Sequence, residues 1–509
     1  MGVRVATAKE TEGIERAIME RGTPAATLMQ RAGNAAAEII AARCAPGERG
    51  VTVFSGTGNN GGDGWIVAGA LRNRGLACRV ISHGDLRTGE ARNARESALV
   101  AGVEESEAAA ADSLIVDALL GTGSTGEPRG RIADGVRAIS ALKTAGAGVV
   151  SLDLPSGLDA STGWHDQVVN ADITVSFGSI KRGHLLARDV CGSIAVVDIG
   201  LSDDDATGLP LLIDSAWVAA RVPFIPSTAH KGTRKTVAVV GGGKGMAGAA
   251  ILAGEGALRA GAGLVRIVTA PRNEVAVHAA IPAAIVHQWP ETPSGLEQLS
   301  IGVDAIAIGP GLGSSALTRD LVERVLLAWT GPVVVDADAL NVFEGDLLSL
   351  AQLLRGRPAV ITPHPAELGR LLRMDTAEVV ASRFDIGASV AADLGAAVLL
   401  KGTPTVISSP HGHRYVSAAG TAALATGGSG DVLTGMTGTL LAQISGDGSG
   451  ADPAEVAACA AFVHGRAAEI CGPVRGVTLA DIVSAMPAAW SLRERPHDPG
   501  VLAWLESFR

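Results

Sequence analysis

A chain of 509 residues is longer than one ordinary domain, and 47% hydrophobic against 18% charged residues supplies apolar material for two or three cores. Aromatics are only 3%, so Ala, Val, Leu and Gly must build those cores, and a net charge of -10 with no basic run argues against nucleic acid as a partner. Five scattered cysteines, Cys44, Cys78, Cys191, Cys459 and Cys471, form no C-x-x-C pair, which suits a reducing compartment and excludes a zinc ribbon. The opening "MGVRVATAKETEGIERAIME" carries charges where a signal peptide needs an apolar run, and the apolar run "VLTGMTGTLLAQI" stops at about 13 residues. A soluble, cytoplasmic protein with no membrane partner is expected.

The first two hundred residues alternate short β-branched runs with helical patterns. "GVTVFSG", "ACRVISHG", "SLIVDALLGTG", "GVVSLDLPSG", "ITVSFGS" and "GSIAVVDIG" are continuous apolar runs ending in Gly-rich or Asp-bearing loops. That is the pattern of strands buried on both faces of a doubly wound parallel sheet. "FSGTGNNGGDGWIVAGALRNRG", Phe54 to Gly75, reads as strand, polar glycine loop and helix, the geometry of a nucleotide phosphate site at the carboxyl edge of such a sheet. Asn59, Asn60 and Asp63 put oxygens where a dinucleotide fingerprint needs bare backbone, and oxygens suit a hard cation. "VDALLGTGSTGE" adds Asp117 and a second Gly/Thr loop; "LDLPSGLDAS" adds Asp153 and Ser156. Each carboxylate alone reads as a cap or turn former. Their recurrence at strand ends that converge on one edge favours a site built from Asn60, Asp117, Asp153 and Ser156.

The alternation breaks at "LSDDDATGLP" and "RVPFIPSTAHKGTRK", which place a domain boundary between about Leu201 and Lys231. A second, larger α/β pattern follows in "TVAVVGG", "LVRIVTAP", "DAIAIGPGLG", "PVVVDADALN", "PAVITPHPAEL" and "AAVLLKGTPTVIS". No short period repeats, so the halves read as a fusion rather than a duplication. Gly243, Gly245 and Gly248 stand in G-x-G-x-x-G register, but "LVRIVTAPRN" supplies Arg266 and Arg272 where that fingerprint needs an acid. The glycines therefore read as close packing plus ligand approach. Successive strand ends carry Gly309, Gly311 and Gly313, then Asp336, Asp338 and Asn341, then His364 and Glu367, and Lys401 opens a tight turn in "LLKGTPTVI". "LATGGSGDVLTGMTG", Leu424 to Gly438, strips a helix entrance of side chains and leaves one carboxylate, Asp431. Bare N–H groups at a helix N-terminus hold a phosphate, and a carboxylate there can accept the proton of a hydroxyl that attacks it. For that stretch alone, an N-capping Asp in an ordinary Gly-rich turn is the alternative. His411 and His413 in "PHGHRY" read as a hairpin loop without a third metal ligand, and His464 as a packed or surface histidine.

"NNGGDG", "DALLGTG" and "DLPSGLD", in this order and spacing, resemble the epimerase domain of the NAD(P)H-hydrate repair enzymes. "HKG", "GPGLG", "DADALN", "PHPAE", "KGTPT" and "GGSGD" resemble the nicotinamide-nucleotide hydrate dehydratase branch of the ribokinase-like fold. The resemblance implies an α/β chain of two doubly wound domains, a Rossmann-like epimerase domain over 1–214 and a ribokinase-like, ADP-dependent dehydratase domain over 215–509. In the first it implies potassium held by Asn60, Asp117 and Ser156, and the hydrated dinucleotide (NADHX or NADPHX) held by two loops. One loop is Asn59, Asn60, Gly61, Gly62 and Asp63; the other is Gly121, Thr122, Gly123, Ser124, Thr125, Gly126 and Glu127, with Asp153 facing the reacting ring. In the second it implies nucleotide contacts from Lys401, Gly402, Thr403, Pro404, Thr405 and Gly430, magnesium with the ADP, and a hydrate pocket of Ala249, Gly313, His364 and Asp431. Pro404 departs from the motif at a place where glycine would be unremarkable, which narrows the expected purine pocket.

The expected chemistry is repair. Hydroxide is a poor leaving group and phosphate a good one, so phosphorylating the hydrate's hydroxyl, with Asp431 as base, turns a slow dehydration into an easy elimination. A ribokinase-like kinase for a vitamin precursor or sugar shares the second set of motifs and leaves the first unexplained; a nucleotide sensor without turnover is the rival of another class. The Ala-rich composition is also compatible with a homo-oligomer.

Overall fold

A computed structural model describes residues 2–43, 50–109, 114–201, 208–290, 292–445, 450–492 and 500–507. Cys44 and the acidic stretch 202–207, which includes Thr207, lie outside the described residues. The chain divides into two compact units, Met1–Leu211 with Arg495–Arg509, and Leu212–Glu494. Both are α/β, as the strand pattern predicts. No helix among the described residues is long and apolar enough to cross a membrane.

The first unit holds an eight-stranded sheet in the order Val501–Leu505, Ser193–Val197, Ile173–Phe177, Val149–Leu152, Leu114–Ala118, Val51–Ser55, Cys78–Ser82, Glu104–Glu105. Every neighbouring pair is parallel except Val501–Leu505, which runs antiparallel to Ser193–Val197. The central strands VTVFS and VVSL are buried at every position, as strands covered by helices on both faces must be. The outer strand Val501–Leu505 corrects the expectation that 215–509 forms one domain, because the chain returns to the first sheet to pair its edge. An edge strand buried only at Ala503 carries no local sign of which sheet it joins. A cut anywhere between the halves therefore separates the first sheet from its own last strand.

The second unit carries the ten-stranded sheet Leu211–Leu212, Arg414–Ser417, Thr405–Ser408, Ala397–Leu400, Ala359–Ile361, Val333–Val335, Ala305–Ile308, Thr236–Val240, Leu264–Thr269, Ile285–Gln288. Seven strands from Ala397–Leu400 to Ile285–Gln288 are parallel, and Thr405–Ser408 with Arg414–Ser417 forms an antiparallel hairpin at one side. His411 and His413 sit exposed in the turn of that hairpin. Register places Val240, Ile308, Val335 and Ile361 side by side, so Gly241, Gly309, Asp336 and Thr362 leave the sheet as one row. Glycine is needed there: a Cβ at Gly241 would stand 2.4 Å from the Pro310 carbonyl, and one at Gly309 would stand 1.8 Å from that of Asp336.

The helix Ser429–Ile444 lies over the middle of this sheet, with Gly438 against Val237, Ala307 and Val334. It is pressed onto the helix Ala247–Arg259 so closely that a Cβ at Gly435 would overlap the Ala253 carbonyl at 1.8 Å. Bare glycine faces let the two backbones meet, and this contact fixes where the first turn, Ser429 to Asp431, ends up.

Candidate active site

At the carboxyl edge of the first sheet the predicted residues meet. Asp117 is fully buried at the end of Leu114–Ala118, and its carboxylate accepts from the Ser156 hydroxyl (2.5 Å) and amide (2.8 Å), from the Ser151 hydroxyl (2.9 Å) and from the Leu119 amide (3.3 Å). Burial pushes its pKa up despite those donors. Ser156 in turn accepts from the Leu120 amide at 2.9 Å. Asn60, in the first turn of the helix Asn59–Asn73, donates through Nδ2 to the Leu120 and Leu152 carbonyls at 2.8 and 3.1 Å, while its buried Oδ1 has no hydrogen-bond partner. Gly121 fits between the parts of the site: a Cβ there would lie 3.1 Å from Asn60 Cβ and 3.3 Å from Asp153 Oδ2.

Asp153 follows the strand Val149–Leu152 with φ 63, a left-handed conformation that costs a non-glycine residue about 1–2 kcal/mol. Its surroundings hold it there. His184 Nδ1 accepts from the Lys181 amide at 3.1 Å, so Nε2 carries the proton and donates to the Asp153 carbonyl at 2.8 Å. Burial lowers His184 to about 3, in keeping with that neutral tautomer. The Asp153 carboxylate accepts from the Thr122 amide (2.9 Å) and hydroxyl on Oδ2, and from the ammonium of Lys181 at 2.5 Å on Oδ1. Lys181, itself fully buried, also reaches Ser176 Oγ at 3.1 Å and the Phe177 carbonyl at 3.3 Å. Burial works to raise Asp153, but Lys181 and Thr122 outweigh it and hold the carboxyl below its usual range. The neighbours shift the other way: burial, then Asp153, pushes both Asp63 and Glu15 up.

Not every predicted residue serves the edge. Gly61 and Gly62 are packing residues, since a Cβ would stand 2.1 Å from the Gly56 carbonyl at the first and 2.9 Å from Met29 Sδ and Ala91 Cβ at the second. Asn59, Gly123, Thr125, Gly126 and Glu127 are exposed, and Ser124 folds back to donate to the Gly121 carbonyl at 2.8 Å. Lys181, His184 and Glu15 escaped the sequence reading. They lie outside the glycine motifs, and nothing local in "SIKRGHLL" or "GIERA" points to the strand ends they meet.

The second sheet carries its own edge site. Asp336, 1% exposed, accepts Lys401 Nζ on Oδ1 at 2.8 Å and the Thr434 hydroxyl on Oδ2 at 2.5 Å. Glu367 lies 3.7 Å from the same ammonium, and burial of Lys401 is outweighed by these two carboxylates, which raise it above its ordinary value. The residue after Asp336, Ala337, has φ 49 and ψ -121, a second strained strand exit. Asp431 belongs to the helix rather than preceding it: the helix starts at Ser429, after Gly428 at φ 92. Burial first, then Asp336, raises Asp431 to about 7, against the opposing effect of Lys401.

His364 caps the helix Pro365–Leu372 through Nδ1, which accepts from the Ala366 and Glu367 amides at 3.2 and 3.3 Å, while Glu367 returns a bond to the His364 amide at 2.8 Å. Gly313 donates to Asp338 at 2.7 Å, and Ala249 Cβ stands 2.8 Å from where a Cβ of Gly311 would be, which joins the "GPGLG" loop to the helix Ala247–Arg259. Gly241 to Gly243 pack under the same loop, with the Gly243 amide donating to the Gly311 carbonyl at 2.5 Å. Of the turn Lys401 to Thr405, Gly402 and Thr403 are exposed, Pro404 is buried, and Arg383 donates to the Thr403 carbonyl. His464 is buried, with Nε2 3.5 Å from Ser429 Oγ, and burial lowers it to about 4.

The arrangement can bind an anion on the first turn of Ser429–Ile444 beside a fixed ammonium, with a carboxyl that ionises near neutrality next to it. Comparison with known proteins agrees with the motifs. The NAD(P)H-hydrate dehydratase family matches residues 237–487, and the YjeF-related protein N-terminus family matches residues 25–183. The bifunctional NAD(P)H-hydrate repair enzyme Nnr of Moorella thermoacetica is 36% identical over 92% of this chain and 93% of its own, and that of Escherichia coli is 36% identical over 90% and 88%. Among solved structures, the ADP/ATP-dependent NAD(P)H-hydrate dehydratase of Bacillus subtilis, co-crystallised with ATP and Mg2+, is 31% identical over 54% of this chain and 96% of that one, with a TM-score of 0.48. Two family matches in series and relatives similar across nearly their whole length place the chain in the family of bifunctional NAD(P)H-hydrate repair enzymes.

Proposed function

We propose that the first unit interconverts the two epimers of hydrated NADH or NADPH at Asp153, and that the second dehydrates one epimer at Asp431 at the expense of ADP, in the cytoplasm. The observation that carries the reading is the meeting of Lys401, Asp336 and Asp431 at the bare first turn of Ser429–Ile444.

In the first unit, the hydroxyl on the carbon beside the ring nitrogen leaves with help from the nitrogen lone pair, and water returns to either face. Asp153, kept ionised by Lys181, takes the proton of the incoming water, and Thr122 fixes the carboxylate's direction. The neighbouring oxygens suit a potassium ion: Asn60 Oδ1 is buried without a partner, and Ser156 Oγ and the Asp117 carboxylate stand on the same edge. Bound there by Asn60, Asp117 and Ser156, potassium supplies a fixed positive charge near the dinucleotide.

In the second unit, Asp431 takes the proton of the hydrate's hydroxyl as that oxygen attacks the terminal phosphate of ADP. The amides of Gly430 and Asp431 and the Lys401 ammonium receive the phosphoryl oxygens. Magnesium carried by the nucleotide neutralises charge on the transferring group. The phosphate ester then leaves as inorganic phosphate, pushed by the ring nitrogen, and the dihydronicotinamide is restored. The turn Lys401 to Thr405 receives the rest of the nucleotide, and Ala249, Gly313 and His364 border the hydrate.

Phosphorus NMR of the completed reaction separates this reading from a kinase. One inorganic phosphate and one AMP per dihydronicotinamide restored are expected, whereas a lasting phosphoester signal would contradict dehydration. In Asp431→Asn the dehydration rate should fall by about two orders of magnitude or more, with epimer exchange unchanged, and a near-normal rate would remove Asp431 from the mechanism. Replacing potassium by tetramethylammonium should slow epimer exchange at least about tenfold and leave dehydration alone; equal exchange rates in the two salts would refute the assignment of Asn60, Asp117 and Ser156.

Stability offers a check on Asp431 that needs no substrate. Its folded-state pKa of about 7 lies above that of the unfolded chain, so ionising it costs the native state. The cost is absent below about pH 4, grows as pH rises toward 7 and is constant beyond. Asp431→Asn removes it, so the melting-temperature gain should grow over that interval, on the order of 5–10 °C at the plateau, and then stay flat. A gain independent of pH would show that the carboxyl titrates elsewhere.

A further inference from the structure

Asp336 occupies the centre of the second edge, yet it is buried and both of its oxygens are taken. One holds the Lys401 ammonium at 2.8 Å and the other the Thr434 hydroxyl at 2.5 Å. Thr434 has one proton to give. The Gly430 carbonyl lies 3.0 Å from the same hydroxyl, and the shorter, charge-assisted bond to Asp336 takes the proton. Thr434 is on the second turn of Ser429–Ile444, the helix whose first turn carries Asp431, so the carboxylate ties the strand end Val333–Val335 to the phosphate-binding helix. Lys401 is pinned at its backbone as well, where its amide donates to the Pro363 carbonyl at 2.9 Å. The ammonium ends against bare backbone: a Cβ at Gly430 would lie 3.2 Å from Nζ and 4.0 Å from Asp336 Oδ2.

Lys401 thus has competing partners. Asp336, Glu367 and Asp431 all act on it, and Asp431 faces Asp336, Asp338 and Glu367 besides Lys401. An ammonium that settled on Asp431 would both leave the phosphate position and hold the base ionised but weak. We propose that Asp336 and Thr434 are positioning residues for phosphoryl transfer, a clamp that holds the Lys401 ammonium over the Gly430 backbone and away from Asp431. The clamp rests on the reading of the second unit as an ADP-driven dehydratase, and it assigns Asp336 and Thr434 roles that act through Lys401.

The clamp makes the effect of Asp336 depend on Lys401. Asp336→Asn keeps the shape but releases the ammonium. Its kcat for ADP-driven dehydration should fall about 100-fold with a KM for ADP changed less than about threefold, because the loss is of alignment and not of nucleotide contact. The acid limb of kcat/KM should move down by about one to two pH units, through loss of the Asp336 charge together with the turning of Lys401 to Asp431. Thr434→Val should move both quantities in the same direction by less. In a Lys401→Met background, Asp336→Asn should add almost nothing, since the group it positions is gone.

A merely structural Asp336 would give the opposite pattern: a full additional loss in the Lys401→Met background, and an acid limb that stays in place in Thr434→Val, which keeps the Asp336 charge, and either result overturns the proposal. The same titration is readable without turnover, as the pH dependence of the melting-temperature difference between each background and its Asp431→Asn partner. If that midpoint falls further in Asp336→Asn than it does when the same substitution is made in the Lys401→Met background, while the unmodified chain fails to dehydrate hydrated NADH, the clamp stands and the dehydratase reading falls. If the midpoint falls equally in the two backgrounds, or is unmoved, the clamp falls whatever the activity.

Discussion

Each unit is organised around an ammonium buried at the carboxyl edge of a parallel sheet and a carboxylate that meets it: Lys181 with Asp153 at 2.5 Å, and Lys401 with Asp336 at 2.8 Å. Taking either charge out of water costs several kcal/mol, and the pair recovers that only when geometry is tight and the remaining donors and acceptors are satisfied. Both conditions are met here. Lys181 spends its other protons on Ser176 and the carbonyls around it, and Asp336 spends its second oxygen on Thr434. Such pairs add little net stability for their burial, but they fix direction, and direction is what a reacting edge needs.

Once the pairs are fixed, the remaining acids at each edge sort themselves. In the first unit Lys181 keeps Asp153 ionised, and burial together with that charge pushes Asp63 and Glu15 up. In the second, Asp336 takes Lys401 for itself, and Asp431, left with burial and the Asp336 charge, ionises near 7. Neighbouring carboxyls held in different protonation states are how one edge can both give and take protons at neutral pH. Strained backbone stands at both strand exits, at Asp153 itself and at Ala337 directly after Asp336.

What the sequence made legible were features whose cause is local. Apolar β-branched runs required buried parallel strands, and glycines with Asn60, Asp117, Asp153, Lys401 and Asp431 at their ends marked both edges. The misses all depend on distant chain. Lys181 and His184 acquire their roles only because the strand Ile180–Lys181 pairs with Val5–Ala6 beside Asp153. Thr434 looks like an ordinary helix residue until Asp336 arrives from a strand 98 positions away. The strand Val501–Leu505 follows the whole second unit and still completes the first sheet. Gly61 and Gly62 also serve packing, which the sequence does not display, for glycines that let a helix press on its neighbours look the same there as glycines that admit a phosphate.

If each edge performs its own step around its own pair, the two steps must be separable and must complement each other. The direct measurement is consumption of racemic NADH hydrate with ADP by Asp153→Asn, by Asp431→Asn and by an equal mixture of the two, followed by dihydronicotinamide absorbance within a time short against spontaneous epimer exchange. Asp153→Asn should stop once one epimer is spent, Asp431→Asn should restore almost nothing, and the mixture should consume both epimers. A mixture that halts where Asp153→Asn halts, or an Asp153→Asn variant that clears the racemate alone, would contradict the account.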